Sequence, residues 1–146
     1  MTPSAPAQVK ILVPGNHLMV SLLAQRGDLA GAQVVLCTAV RATVCTEEGD
    51  CKTDNPWAFN IPQFLEVNLK DKALYTTKAS GENRTTPIRT LERDGDQIFI
   101  QGIENGRAFS FVISESSGML SAAVARDGKA VSVFGACTPM ATAPTK

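Results

Sequence analysis

A chain of 146 residues, 44% of them hydrophobic, is enough for about one domain with a single core. Its 14 basic and 14 acidic side chains cancel and form no basic cluster, which argues against a nucleic-acid partner, because phosphate affinity rests on concentrated Lys and Arg. No run of 18 apolar residues is present to cross a membrane as a helix.

Residues 1–33 differ in character from the rest of the chain. Pro3, Pro6 and several Ala precede Lys10, a Pro14-Gly15 break comes after Val13, and Leu18 to Ala24 is apolar. Ala30-Gly31-Ala32 before Gln33 has the small-x-small form of a signal-peptidase site. Arg26 and Asp28 lie between the apolar run and that site, where charge is unwelcome. The segment therefore reads either as an atypical export signal, giving a mature chain that starts near Gln33, or as a short helix or frayed tail. Residues 34–138 read as the folded domain and 139–146 as a disordered tail.

From Val34 the pattern is that of strands. Val34, Leu36, Thr38 and Val40 alternate with Val35, Cys37, Ala39 and Arg41, and Val44-Cys45 closes the segment. Thr46 to Asn55 is polar and acidic but lacks the ligand spacing of a calcium loop, so it is expected to be a solvated loop pinned by Cys45 and Cys51. Trp57, the one tryptophan, comes directly after Pro56. It is expected to plug an open barrel end or to line a ligand mouth. Leu65, Val67 and Leu69 alternate with Glu66, Asn68 and Lys70, and Leu74-Tyr75 begin the next strand after a tight turn. A further turn is centred on Gly81. Ile88 and Leu91 are three apart, which breaks period two and predicts a bulge near Thr90. Pro87, lacking an N–H, belongs on an edge, at a bulge or at an unpaired site.

The clearest signal runs from Asp94 to Cys137. Asp94-Gly95, Asn105-Gly106 and Asp127-Gly128, with a looser Ser117-Gly118 turn, separate four short apolar segments. Asn-Gly and Asp-Gly reach the positive φ of a two-residue type I′ turn at least cost. Each flank carries one face of large apolar residues: Ile98 and Ile100; Phe109, Phe111 and Ile113; Leu120, Ala122 and Val124; Val131 and Val133. The expected fold is all-β: a single antiparallel meander of about eight strands closing into a small barrel or strongly curled sheet, its large residues inward. An uncurled sheet packed on a helix from Leu18 to Ala24 remains the alternative.

Cys37, Cys45, Cys51 and Cys137 contain no Cys-x-x-Cys pair, and the one histidine, His17, lies outside the strand-rich region. Zinc is disfavoured, and two disulfides in an oxidising compartment are expected. Four cysteines allow three connectivities. Closure would bring the first strand beside the last, which selects Cys37 with Cys137 and Cys45 with Cys51. In the chain-entropy model these loops contribute about 4.7 and roughly 2.5 kcal/mol.

With His17 outside the domain, no Ser-His-Asp or Cys-His arrangement can form within it, and no phosphate-cradling glycine loop occurs. No cofactor is expected. Glu104 and Glu115 are carboxylates that could approach one another as an acid/base pair, although hairpin-tip carboxylates are usually only solvated. The expected function is therefore non-catalytic: an extracytoplasmic binding or envelope-associated β-domain, periplasmic or secreted, with a periplasmic protein or small ligand as partner. Arg84 and Arg107 are candidate anion contacts, and Trp57 is a separate candidate binding residue.

Two resemblances add to this reading. Asn60-Ile61-Pro62-Gln63-Phe64, Gln101-Gly102, the run Asn105 to Phe111 and Gly135-Ala136-Cys137-Thr138-Pro139 resemble a group of small exported proteobacterial proteins, a family that implies export but no activity. Ala79-Ser80-Gly81 on a turn between strands is similar to the Ser-Gly loop of the membrane-bound c-type lysozyme inhibitors, which are eight-stranded barrels. That resemblance implies a loop at Ser80 and Gly81 that enters a cell-wall hydrolase, although Glu82, Asn83 and Arg84 do not supply the family's aromatic residue after it. A purely structural envelope protein is the third possibility, and it predicts a solidly packed interior.

Overall fold

The computed structural model describes residues 29–76 and 83–140. They form one antiparallel sheet, strongly curled into a half-barrel, as the alternation predicted. Ten strands are present among the described residues rather than about eight: β1 (Val34–Thr46), β2 (Cys51–Asp54), β3 (Phe64–Asn68), β4 (Ala73–Thr76), β5 (Thr85–Pro87), β6 (Thr90–Asp94), β7 (Gln97–Glu104), β8 (Arg107–Ser114), β9 (Met119–Arg126) and β10 (Lys129–Pro139). The spatial order is β5-β4-β3-β1-β10-β9-β8-β7-β6, with β2 against β1.

First and last strands are neighbours, and Cys37 stands directly opposite Cys137. The two are bonded, as are Cys45 and Cys51. β1 is long enough to change partners along its length. Its first half pairs with β3, and its second half pairs with β2. Between them the register against β10 shifts at Ala39/Arg41. The bulge therefore lies at Val40, where an extra residue bends the strand, and not near Thr90.

What was expected to be one irregular strand around Thr90 is two. β5 and β6 lie at opposite ends of the sheet order, and only Ile88-Arg89 separates them. Ile88 N–H donates to the Lys72 carbonyl beside β4, while Arg89 N–H donates to the Gln101 carbonyl of β7, each at 2.9 Å. Two consecutive residues thus tie the two lateral edges of the sheet together, and the change of sides accounts for the broken period. Pro87 sits on edge strand β5 and β6 carries Glu92, Arg93 and Asp94, devices that protect an unpaired edge.

Among the expected type I′ dipeptides, only Asn105-Gly106 has positive φ at both residues, 51° and 74°. At the first hairpin Asp94 pairs with Gln97, so the two-residue loop is Gly95-Asp96. Glycine leads with φ 65°, the II′ preference.

The core is the concave side. Ile98, Ile100, Phe109, Phe111, Ile113 and Leu120 from the meander meet Val35, Cys37, Val67 and Leu74 from the other arm. Leu29 joins them, fully buried, with its N–H bonded to the Glu115 carbonyl at 2.6 Å. The domain thus includes a residue five positions before the expected boundary at residue 34, and a cut after Ala32 would remove it from the core. At the other terminus β10 continues to Pro139, with Met140 N–H on the Val34 carbonyl at 2.9 Å.

Candidate ligand-binding cavity

Four neighbouring strands build the cavity by simple alternation. Successive side chains point to opposite faces, so the concave rows are Ile98-Ile100-Gly102-Glu104, Arg107-Phe109-Phe111-Ile113, Leu120-Ala122-Val124-Arg126 and Lys129-Val131-Val133-Gly135-Cys137. Hairpin registers align these rows, with Glu104 opposite Arg107 and Arg126 opposite Lys129. Each row is apolar at one end and ends in a charged residue at the other.

The apolar end is closed. Ile98, Ile113 and Val35 have no exposure, and Leu29 caps them. Outside this end, Asp96 Oδ2 accepts from Ser114 Oγ at 3.1 Å and Ser116 Oγ at 2.7 Å, and Arg93 pairs with Glu115. Glu104 and Glu115 are therefore near opposite ends of β8, roughly 25 Å apart at about 3.3 Å per residue. That separation rules out the acid/base pair considered from sequence.

The charged end is open, and a cavity of about 630 Å³ extends inward from it. Its walls are Phe109, Phe111, Leu120, Ala122, Val124 and Val133, with Leu65 and Leu74 from the opposite arm and Cys37 also lining it. Phe109 and Phe111 are tilted at 41° with centroids 5.4 Å apart. Room for the Phe109 ring comes from Gly102, its cross-strand partner, because a Cβ there would overlap the ring.

A short 3₁₀ turn, Pro56–Phe59, and the residues after it form one side of the mouth. Pro56 is fully buried, while Phe59 and Ile61 pack on Ala39, Ala42 and Val133. Ala39 N–H donates to the Gln63 carbonyl at 2.9 Å, anchoring the return of this segment beside the bulge. Phe59 to Gln63 line the cavity. Trp57 does not: it is 55% exposed and absent from the lining, so it is neither the expected plug nor part of the mouth. Its neighbours Pro56 and Phe59 take the inward places on the turn.

Among the described residues, five charged side chains line the cavity: Arg84, Glu104, Arg107, Arg126 and Lys129. Arg84 Nε lies 2.6 Å from Glu104 Oε2, both atoms shielded from solvent, and Arg107 Nη2 lies 3.9 Å from Glu104 Oε1. Arg84 immediately precedes β5 and Glu104 ends β7, so this ion pair also links the two sides of the sheet across the mouth. The two candidate arginines are thus brought together, through a carboxylate whose place at a hairpin tip suggests only solvation. Ser80 and Gly81 lie outside the described residues.

Arg126 and Lys129 are not among the residues singled out from sequence, although the signal is present. Both have the same parity as the large apolar residues of their strands and so face inward wherever those do. Among the described residues, no group of three or more His, Cys, Asp or Glu is placed to hold a metal ion, and no helix is long and apolar enough to cross a membrane. The chain matches no protein-family model and no curated protein.

Proposed function

We propose that this domain is a non-catalytic binding module that works outside the cytoplasm, in the periplasm or secreted, and holds a small ligand in its concave cavity. The observation that carries this reading is the 630 Å³ apolar-walled space open at one end, within the range of about 300–1,000 Å³ typical of small-molecule sites. A purely structural β-domain has no use for such a space, since empty apolar volume forfeits dispersion contacts. The two disulfides support an oxidising compartment.

The test uses a neutral environment-sensitive dye, N-phenylnaphthylamine, titrated into the oxidised protein. Saturable binding at one site is expected, and it is expected to be lost in Ala122→Phe, which fills the cavity from its β9 wall. Equal binding by both proteins would place the dye elsewhere and refute the reading.

A further inference from the structure

We infer that the cavity takes a single-chain anionic amphiphile, an alkyl chain carrying a carboxylate or a similar anionic head, with the head held at the mouth by Arg126 and Lys129. This rests on the cavity being a ligand site.

The lining chemistry is divided by position. Inward lie mostly aromatic and aliphatic side chains with a disulfide on the wall, and two buried threonines, Thr76 and Thr86, on the opposite arm, surroundings that favour burial of methylenes and offer few groups to orient a polar body. Among the described residues that line the rim, four are cations and one is a carboxylate. That carboxylate, Glu104, is already engaged by Arg84 and Arg107. Arg126 and Lys129 face each other across the β9–β10 hairpin and, among the described residues, have no carboxylate within 4.0 Å. Glu47, whose carboxylate lies against Gly128 at the same turn, pairs with neither.

A polar-headed ligand entering apolar end first would therefore leave its head beside two cations that lack a partner carboxylate. A cationic head would meet repulsion there, and a neutral head would leave the cations as they were. Charge-assisted bonds from guanidinium and ammonium to a carboxylate are the strong ones, and at a rim open to solvent they weaken as salt is added. The shape of the site agrees with this. One mouth and one closed end suit a linear molecule with a single polar terminus, whereas a molecule polar at both ends would bury one of them against Phe111 and Leu120.

Competition against bound N-phenylnaphthylamine tests this, with decanoate, decan-1-ol and decyltrimethylammonium as probes of one chain length. Decanoate is expected to displace the dye at concentrations at least about tenfold below the other two, with the advantage shrinking at high salt. In Arg126→Gln/Lys129→Gln that advantage is expected to vanish, and in Arg126→Glu/Lys129→Glu the preference is expected to reverse toward decyltrimethylammonium. The reversal distinguishes a direct charge contact from a merely misfolded variant. Across octanoate, decanoate and dodecanoate, affinity is expected to rise by about fourfold per methylene until the cavity is full. Equal displacement by all three decyl probes would overturn the anionic head and leave the cavity reading standing. Failure of the dye and of every probe to bind would overturn both.

Discussion

The two ends of the half-barrel are made from the same four strands and the same alternation, yet they do opposite things. At one end the concave rows finish in Ile98, Ile113, Leu120 and Cys137, Leu29 covers them, and the interior is filled. At the other they finish in Glu104, Arg107, Arg126 and Lys129, and about 630 Å³ is left open. A sheet's pleat dictates only which residues point inward; the side chain at the last inward position decides whether the end is sealed or remains a mouth. Stability is therefore concentrated at one end and the candidate chemistry at the other, and substitutions at the two ends should separate accordingly.

The largest effect is expected from the bond that fixes the centre of the sheet. Replacing Cys37 and Cys137 together by Ala removes a cross-link over a sequence separation of 100 and should cost about 4.7 kcal/mol in denaturant unfolding. The Cys45/Cys51 double replacement, with a separation of six, should cost roughly 2.5 kcal/mol. A larger loss from the short loop would contradict the role given to the β1–β10 junction.

Leu29→Ala strips the cap from the sealed end and is expected to cost about 2–5 kcal/mol, as for other fully buried leucines. Thermal unfolding of a chain beginning at Gln33 would show the same deficit, because it also lacks Leu29.

Gly135→Ala should destabilise by at least about 1–3 kcal/mol. A Cβ at that position overlaps the Thr38 carbonyl oxygen, and backbone offers no rotamer by which to escape. Gly102→Ala comes first against the Phe109 ring, which can turn into the open cavity. Its expected signature is weaker dye binding with a smaller loss of stability, and comparison of the two glycines by unfolding and titration checks the assignment.

The smallest change in stability belongs to the mouth. Ala122→Phe adds bulk to space that is already empty and should leave the unfolding free energy within about 1 kcal/mol of the parent, in line with substitutions that neither open a cavity nor strand a polar group. Glu104→Ala should cost somewhat more, about 1–3 kcal/mol, because it leaves the buried Nε of Arg84 without that carboxylate. Calorimetric unfolding of both variants beside Leu29→Ala would rank the two ends directly.

Much of the sealed end is legible in the chain. Turn dipeptides and period-two runs point to the meander from Ile98 to Val133 and the inward residues of each strand, and closure of first strand on last selects both disulfides. Harder to read are features that depend on where a strand ends. β2 occupies a polar stretch because the Cys45–Cys51 link folds it back on β1, an effect that outweighs its weak strand composition. Leu29 sits beyond a turn, in a segment without periodicity, so nothing local marks it as core. Trp57 misleads because a lone aromatic beside proline suggests a plug, whereas the 3₁₀ turn spends its inward positions on Pro56 and Phe59. Arg107 stands out in the sequence, but Arg126 and Lys129 do not, since charges flanking an Asp-Gly turn normally read as solvated hairpin tips. Extending the inward parity of Val124 and Val131 by one step is all that is needed to find them.

The ligand cavity behind the open end can be tested by titrating N-phenylnaphthylamine into the oxidised parent protein and into Ala122→Phe, with unfolding midpoints measured on the same samples. One saturable site is predicted in the parent and none in the variant, with closely similar stability for both. Undiminished binding by a folded Ala122→Phe, or no binding by the parent, would contradict it.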